Sequence, residues 1–255
     1  MTSWTTGLTD IAGLVFVALF LAVMLLGLVV KVPRPGRDLR PLRALRRLRQ
    51  AIFLTVESGQ RLHVSLGRGL LMHQQMAVGM VGLRALERLV SMTAAGDRPT
   101  IVTAGTGPLG ILSRSTLHSA YETHHWEERY RPTDARVTGL TPFAYAAGAG
   151  EVIATENVAA NFFLGAFGPE VALLADQAAA RGEFVAAGSD SVLAQAVLYA
   201  VAEEPLIGEE AFAAAAYLGA GGLHATSLMA EDVFRWLLIA LMVGGALFKL
   251  VGGHL

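Results

Sequence analysis

The chain has 255 residues, 53% of them hydrophobic and 16% charged, with a formal net charge of -1 and a mean hydropathy of +0.49. This balance lies on the apolar side of an ordinary soluble domain, so part of the surface is expected to face lipid. The absence of cysteine excludes disulfides, thiolate metal sites and cysteine nucleophiles, and the absence of lysine between Lys31 and Lys249 excludes Schiff-base chemistry in the region between them.

Residues 1–10 read as a short N-terminus outside the cytoplasm. Ile11 to Val30 contains no charge and is rich in Leu, Val, Phe and Ala, which matches the roughly 20 apolar residues that cross a bilayer core, and a transmembrane helix is predicted over 11–31. Lys31 and seven arginines between Arg34 and Arg49 follow directly. Positive charge beside a span stays on the cytoplasmic side, so the bulk of the chain is expected in the cytoplasm, at a bacterial inner membrane. Pro33 and Pro35 break the exit, and Asp38 is the predicted cap of a basic amphipathic linker helix within 32–58. Its Leu39, Leu42, Leu45, Leu48 and Ile52 recur at near-helical spacing between arginines. Such a segment reads first as lying along anionic headgroups; the alternative is a helix that buries its leucines on the following domain. Nucleic-acid binding is not expected, since no aromatic residues interleave the charge.

From 59 to 222, β-like runs end in glycine-bearing corners and then enter helices. Strands are predicted near Leu62–Leu66, Thr100–Ala104, Ala135–Leu140, Ala160–Gly165, Phe184–Gly188 and Pro205–Gly208. The intervening helices are predicted near Leu70–Ala95, Pro108–Glu128, Pro142–Glu156, Pro169–Arg181, Ser191–Glu203 and Glu209–Gly219. This alternation predicts an α/β fold, a doubly wound, mostly parallel Rossmann-like sheet flanked by two transmembrane helices. After a connector at 223–232, the second span is predicted at 233–251, where Arg235 and Lys249 bound an uncharged centre from Trp236 to Phe248.

Open parallel sheets bind ligands outside the carboxyl ends of their strands. That rule selects Ser65, Gly67, Arg68, Thr103, Gly105, Thr106, Gly107, Ser189 and Asp190 as a candidate pocket for a small anionic or polar ligand. Gly105-Thr106-Gly107-Pro108-Leu109-Gly110 is a literal G-x-G-x-x-G match, although Pro108 removes one amide and the expected acid about 20 residues on is represented only by Glu127 and Glu128. Neither a cofactor nor a catalytic residue is assigned. His118, Glu122 and His125 have helical spacing, but they lie in a polar run that reads as a solvated face, so no metal is expected.

The blocks Arg61-Leu62-His63-Val64-Ser65-Leu66-Gly67, Pro142-Phe143-Ala144-Tyr145-Ala146-Ala147-Gly148, Gly165-Ala166-Phe167-Gly168-Pro169-Glu170, Gly188-Ser189-Asp190 and Ile207-Gly208-Glu209-Glu210 resemble a family of uncharacterised bacterial membrane proteins defined by a domain of unknown function. The resemblance implies a membrane protein and carries no activity. Two functions fit the sequence: a membrane-anchored, self-associating scaffold or assembly subunit, and a membrane-bound enzyme acting on a nucleotide or other anionic substrate at the strand ends. Alanine-rich helix faces such as Ala211 to Ala216 favour the first, with the lipid bilayer and further copies of the chain as partners.

Overall fold

The computed structural model of the protein describes residues 3–30, 40–69, 76–94 and 96–250. In chain order its elements are α1 (Ser3–Val30), α2 (Arg43–Glu57), β1 (Arg61–Gly67), α3 (Met76–Thr93), β2 (Ile101–Ala104), α4 (Gly107–Thr123), β3 (Ala135–Val137), α5 (Pro142–Thr155), β4 (Val158–Ala166), α6 (Val171–Ala180), β5 (Phe184–Gly188), α7 (Val192–Val201), β6 (Glu204–Leu206), α8 (Glu209–Leu218) and α9 (Gly222–Leu250). They form two compact units, one made of the two ends of the chain and one spanning Pro41–Ala220.

The Pro41–Ala220 unit is a six-stranded sheet, all of whose pairings are parallel, in the order β3-β2-β1-β4-β5-β6. This is the doubly wound order, in which the topology reverses between the first and fourth strands. Helices α5, α6 and α7 pack side by side over one face, and α3 packs with α4, α8 and α2 over the other. Parallel strands are covered on both faces, and every residue of β1 and β2 is buried, including the polar Arg61, His63 and Ser65 that alternate with Leu62, Val64 and Leu66 in β1. Tyr145, Phe163, Leu174, Val185 and Leu198 are among the side chains that fill the core beneath α5, α6 and α7.

All six predicted strands form, and β5 has the predicted bounds. The Asp38 cap, Leu39, and the predicted helical residues 70–75 and 95 lie outside the described residues. The polar end of the helix predicted to reach Glu128 instead stops at Thr123 and continues as a short 3-10 turn, Glu127–Arg129.

Helix α2 overturns the headgroup reading of the basic segment. Leu42, Leu45, Leu48 and Ile52 are buried, and the helix packs on β4, β5 and β6. Arg43 and Arg47 both reach Glu204, at 3.1 and 2.7 Å, Arg47 also pairs with Glu203, and Arg49 donates to the Tyr217 carbonyl. The leucine stripe is thus a layer of the α/β unit, and its arginines neutralise the end of α7 and the β6 edge.

In the other unit α1 and α9 run antiparallel, since Gly27 lies 3.7 Å from both Thr226 and Met229 by its ideal Cβ position while Phe16 and Phe20 meet Phe234 with ring centroids 5.1 and 5.6 Å apart. The connector expected at 223–232 is helical and belongs to α9. Among the described residues α9 is the one helix long and apolar enough to cross a membrane; the apolar described stretch of α1, Gly13–Val29, falls short. The expectation of two such spans is therefore met by one.

Helix α3 comes close to strand backbone at Gly82, where a methyl group would stand 2.5 Å from the Leu164 carbonyl oxygen and 2.9 Å from a Leu66 methyl. Gly82→Ala is expected to cost about 1–3 kcal/mol by overpacking against backbone. Gly107→Ala, which meets nothing within 4 Å, should stay within about 0.5 kcal/mol of the parent. Thermal unfolding of the two detergent-solubilised variants makes the comparison.

Candidate functional site

The strand order puts the crevice of interest above the carboxyl ends of β1 and β4, flanked by β2 and β5. Gly67 turns out of β1 with φ +66°, a conformation that favours glycine. The next amide, Arg68, donates to the Ala166 carbonyl of β4 at 2.8 Å, while the Gly67 carbonyl accepts from Gly105 at 2.8 Å. Thr106 Oγ1 donates to the Gly69 carbonyl at 3.2 Å. Arg68 lays its stem against Gly105, where a methyl group would overlap it, and its guanidinium donates to the Leu140 carbonyl at 2.7 Å. Three corners are thus tied together through one arginine.

This knot brings together Ser65, Gly67, Arg68, Thr103, Gly105, Thr106 and Gly107. Ser189 and Asp190 belong to a second knot. Ser189 Oγ accepts from the Phe167 amide at 3.2 Å and from the Ser191 amide at 3.3 Å, and lies 3.3 Å from Asp190 Oδ1. Gln195 clamps the same corner, donating to the Ser189 carbonyl at 2.9 Å and accepting from Gly208 at 3.0 Å.

Most of the selected hydroxyls are committed inside the protein. Ser65, Thr103 and Ser189 have no exposed surface. Ser65 bonds the Tyr145 hydroxyl, which also accepts from the Gly67 amide at 3.2 Å. Burial raises the Tyr145 phenol above its ordinary range, so it stays protonated and bridges strand to helix. The groups that keep bonding capacity are Arg68, whose buried Nε has no partner, and the start of α4. There Thr106 is the N-cap residue yet its side chain makes no capping bond, leaving first-turn amides for an anion.

The glycine motif does not have the setting of a dinucleotide site. That fingerprint belongs to the first β–α turn of the sheet, whereas Gly105 to Gly110 follows β2. Gly105 is covered by Arg68, and Gly110 is where α4 closes on Val137. Among the described residues no group of three ligating side chains converges on a metal position; His118 instead faces Glu122 at 3.9 Å and meets the Tyr130 ring edge-on.

A buried polar ladder runs beneath the site. His63 in β1 is fully buried, with Nδ1 2.9 Å from Asn161 Oδ1 in β4 and Nε2 2.9 Å from Thr103 Oγ1 in β2. Asn161 Nδ2 donates to Glu183 Oε2 at 2.8 Å. Since the amide nitrogen is spent on Glu183, its oxygen accepts from His63 Nδ1–H, and Nε2 accepts from Thr103. The signal available to sequence reasoning was a histidine and an asparagine inside strands whose neighbours are apolar, because a polar group enters such a strand only with partners.

Burial drives the His63 imidazole down to about 4. The unfolded chain binds that proton near pH 6.5 and the folded chain only near 4, so stability is lost as pH falls through this window, by about 3 kcal/mol when complete. Burial pushes the Glu183 and Asp134 carboxyls up, which acts in the opposite sense. Comparison of the parent with His63→Gln isolates the histidine: urea unfolding between pH 7 and 4 should show a flatter dependence in the variant.

No curated protein and no solved structure matches the chain. A family model, described as a domain of unknown function, matches residues 7–255 and so takes in both the helix pair and the α/β unit. The chain belongs to that family, DUF6754.

Proposed function

We propose that the protein is a membrane-anchored, self-associating scaffold or assembly subunit whose α/β unit lies in the cytoplasm and accepts a small anionic ligand at the β1–β2 corner. The observation that carries the anchoring is the apolar surface of α1 and α9. Val17, Leu26, Leu241 and Met242 are each more than 60% exposed, within longer rows of exposed Leu, Val, Ile and Phe. Contiguous apolar surface on this scale marks contact with lipid or protein. Both helices, rather than α9 alone, enter the bilayer in this reading, because their antiparallel pairing leaves one common apolar exterior. The basic run after α1 sets the orientation, with the N-terminus outside a bacterial inner membrane.

The commitment of the site's hydroxyls favours binding over catalysis. Ser65, Thr103, Thr106 and Ser189 each hold an internal partner, and a nucleophile needs a free oxygen beside a base. The second reading, an enzyme acting on a nucleotide or other anionic substrate, draws on the unpartnered Arg68 Nε beside the start of α4.

The mass of the protein extracted in mild detergent, followed by light scattering across a dilution series, tests the assembly reading. A defined oligomer that persists to low concentration is expected. A monomer throughout would transfer the weight to the enzymatic reading, for which a thermal-shift screen of nucleotides is the next step.

A further inference from the structure

The layer made by α5, α6 and α7 carries an outer face with almost no charge. Its exposed side chains include Phe143 on α5, Leu173 on α6, and Val192, Leu193 and Tyr199 on α7, at 70%, 51%, 79%, 69% and 74% exposure. Ala147 and Ala196 are exposed among them. Helix α7 has no charged residue at all, and none of the three helices contains a lysine or arginine. A surface helix normally turns such a stripe inward and charges its outer side. Here the inward side is already filled by Ala194 and Leu198, so the outer stripe is a second apolar face.

We infer that this face is the surface through which two copies of the chain pack, as an isologous contact of α5–α6–α7 against the same helices of a second copy. The inference rests on the self-association reading above and names the surface that performs it. Two arguments select a second copy. The charged residues exposed on these helices are Glu151 and Asp176, both anions. A helix resting on anionic lipid instead carries Lys and Arg along its polar flank. The size also fits: three adjacent helices, the longest of 14 residues, present about 500 Å² at 1.5 Å per residue and 8–10 Å spacing. Doubled across a two-fold axis this is about 1,000 Å², the threshold of a specific interface. Anchoring in one membrane raises the effective concentration of copies, so a contact of this size suffices.

The chain's lack of cysteine makes the test direct. In the full-length protein in detergent, single replacements Leu193→Cys, Ala196→Cys and Tyr199→Cys should yield disulfide-linked dimers on mild oxidation. Ile111→Cys, on α4 in the opposite layer and 72% exposed, should not. Leu193→Glu with Tyr199→Glu should weaken association about thirtyfold or more, and the crosslinks give an independent readout if that variant folds poorly. An oligomer that forms without α7 crosslinks and ignores the glutamates overturns this surface while leaving self-association standing. A parent protein that is monomeric at every concentration overturns both. Quenching of a fluorophore on Tyr199→Cys by brominated lipid, in nanodiscs holding one copy, would assign the face to the bilayer and also overturn the inference.

Discussion

The β1–β4 junction is the constraint on which the α/β unit depends. Six parallel strands can be wound from the middle outward only if the first and fourth lie side by side, and here they do so at close quarters. A methyl group on Gly165 would overlap the Leu66 carbonyl, and one on Gly67 would overlap the Ala166 carbonyl. Gly82 then lets α3 settle on the same stretch of β4. Glycine at these positions leaves room for backbone. Above this junction the chain leaves β1 and β4 toward opposite layers, the arrangement that places a ligand crevice in open parallel sheets.

Across this junction lies the polar ladder from Thr103 through His63 and Asn161 to Glu183. An unpaired imidazole in such a core would cost several kcal/mol, whereas one with both nitrogens bonded is tolerated and fixes the strands relative to each other. A one-residue slip of β1 would carry His63 to the other face and strand all of its partners. Tyr145 performs a related task one level higher, joining Ser65 and the Gly67 turn to α5. The hydroxyls that look like ligand contacts are therefore largely the fastenings of the sheet, and Arg68 is the group with capacity left over.

Alternation and turn chemistry made the strands and helices of the α/β unit legible, since buried parallel strands and proline-led helix starts are local signals. What was not legible depends on partners far along the chain. The leucines of α2 fit a membrane surface as well as a sheet until Glu203 and Glu204 are seen beside Arg47. The connector before Val233 carries Glu231 and Asp232 and looks like a break, yet Arg235 pairs with both across one helical turn and the helix continues. Ser65 and Ser189 do lie at strand ends, but whether a hydroxyl points outward or to a neighbouring strand is set by register, which one sequence does not contain. The Ala211–Ala216 stretch, whose alanines suggest an association surface, is mostly buried in α8. The unusual exposed face is on α7.

The central claim is that the helix pair holds the α/β unit on the cytoplasmic side of a membrane. Single cysteines in intact cells, probed with a membrane-impermeant maleimide, test it most directly. Leu250→Cys, at the end of α9, should label from outside, while Leu140→Cys, exposed in the α/β unit, should label only after the membrane is opened. Labelling of Leu140→Cys in intact cells would reverse the orientation, and recovery of the protein in the soluble fraction with both sites equally reactive would contradict the anchoring itself.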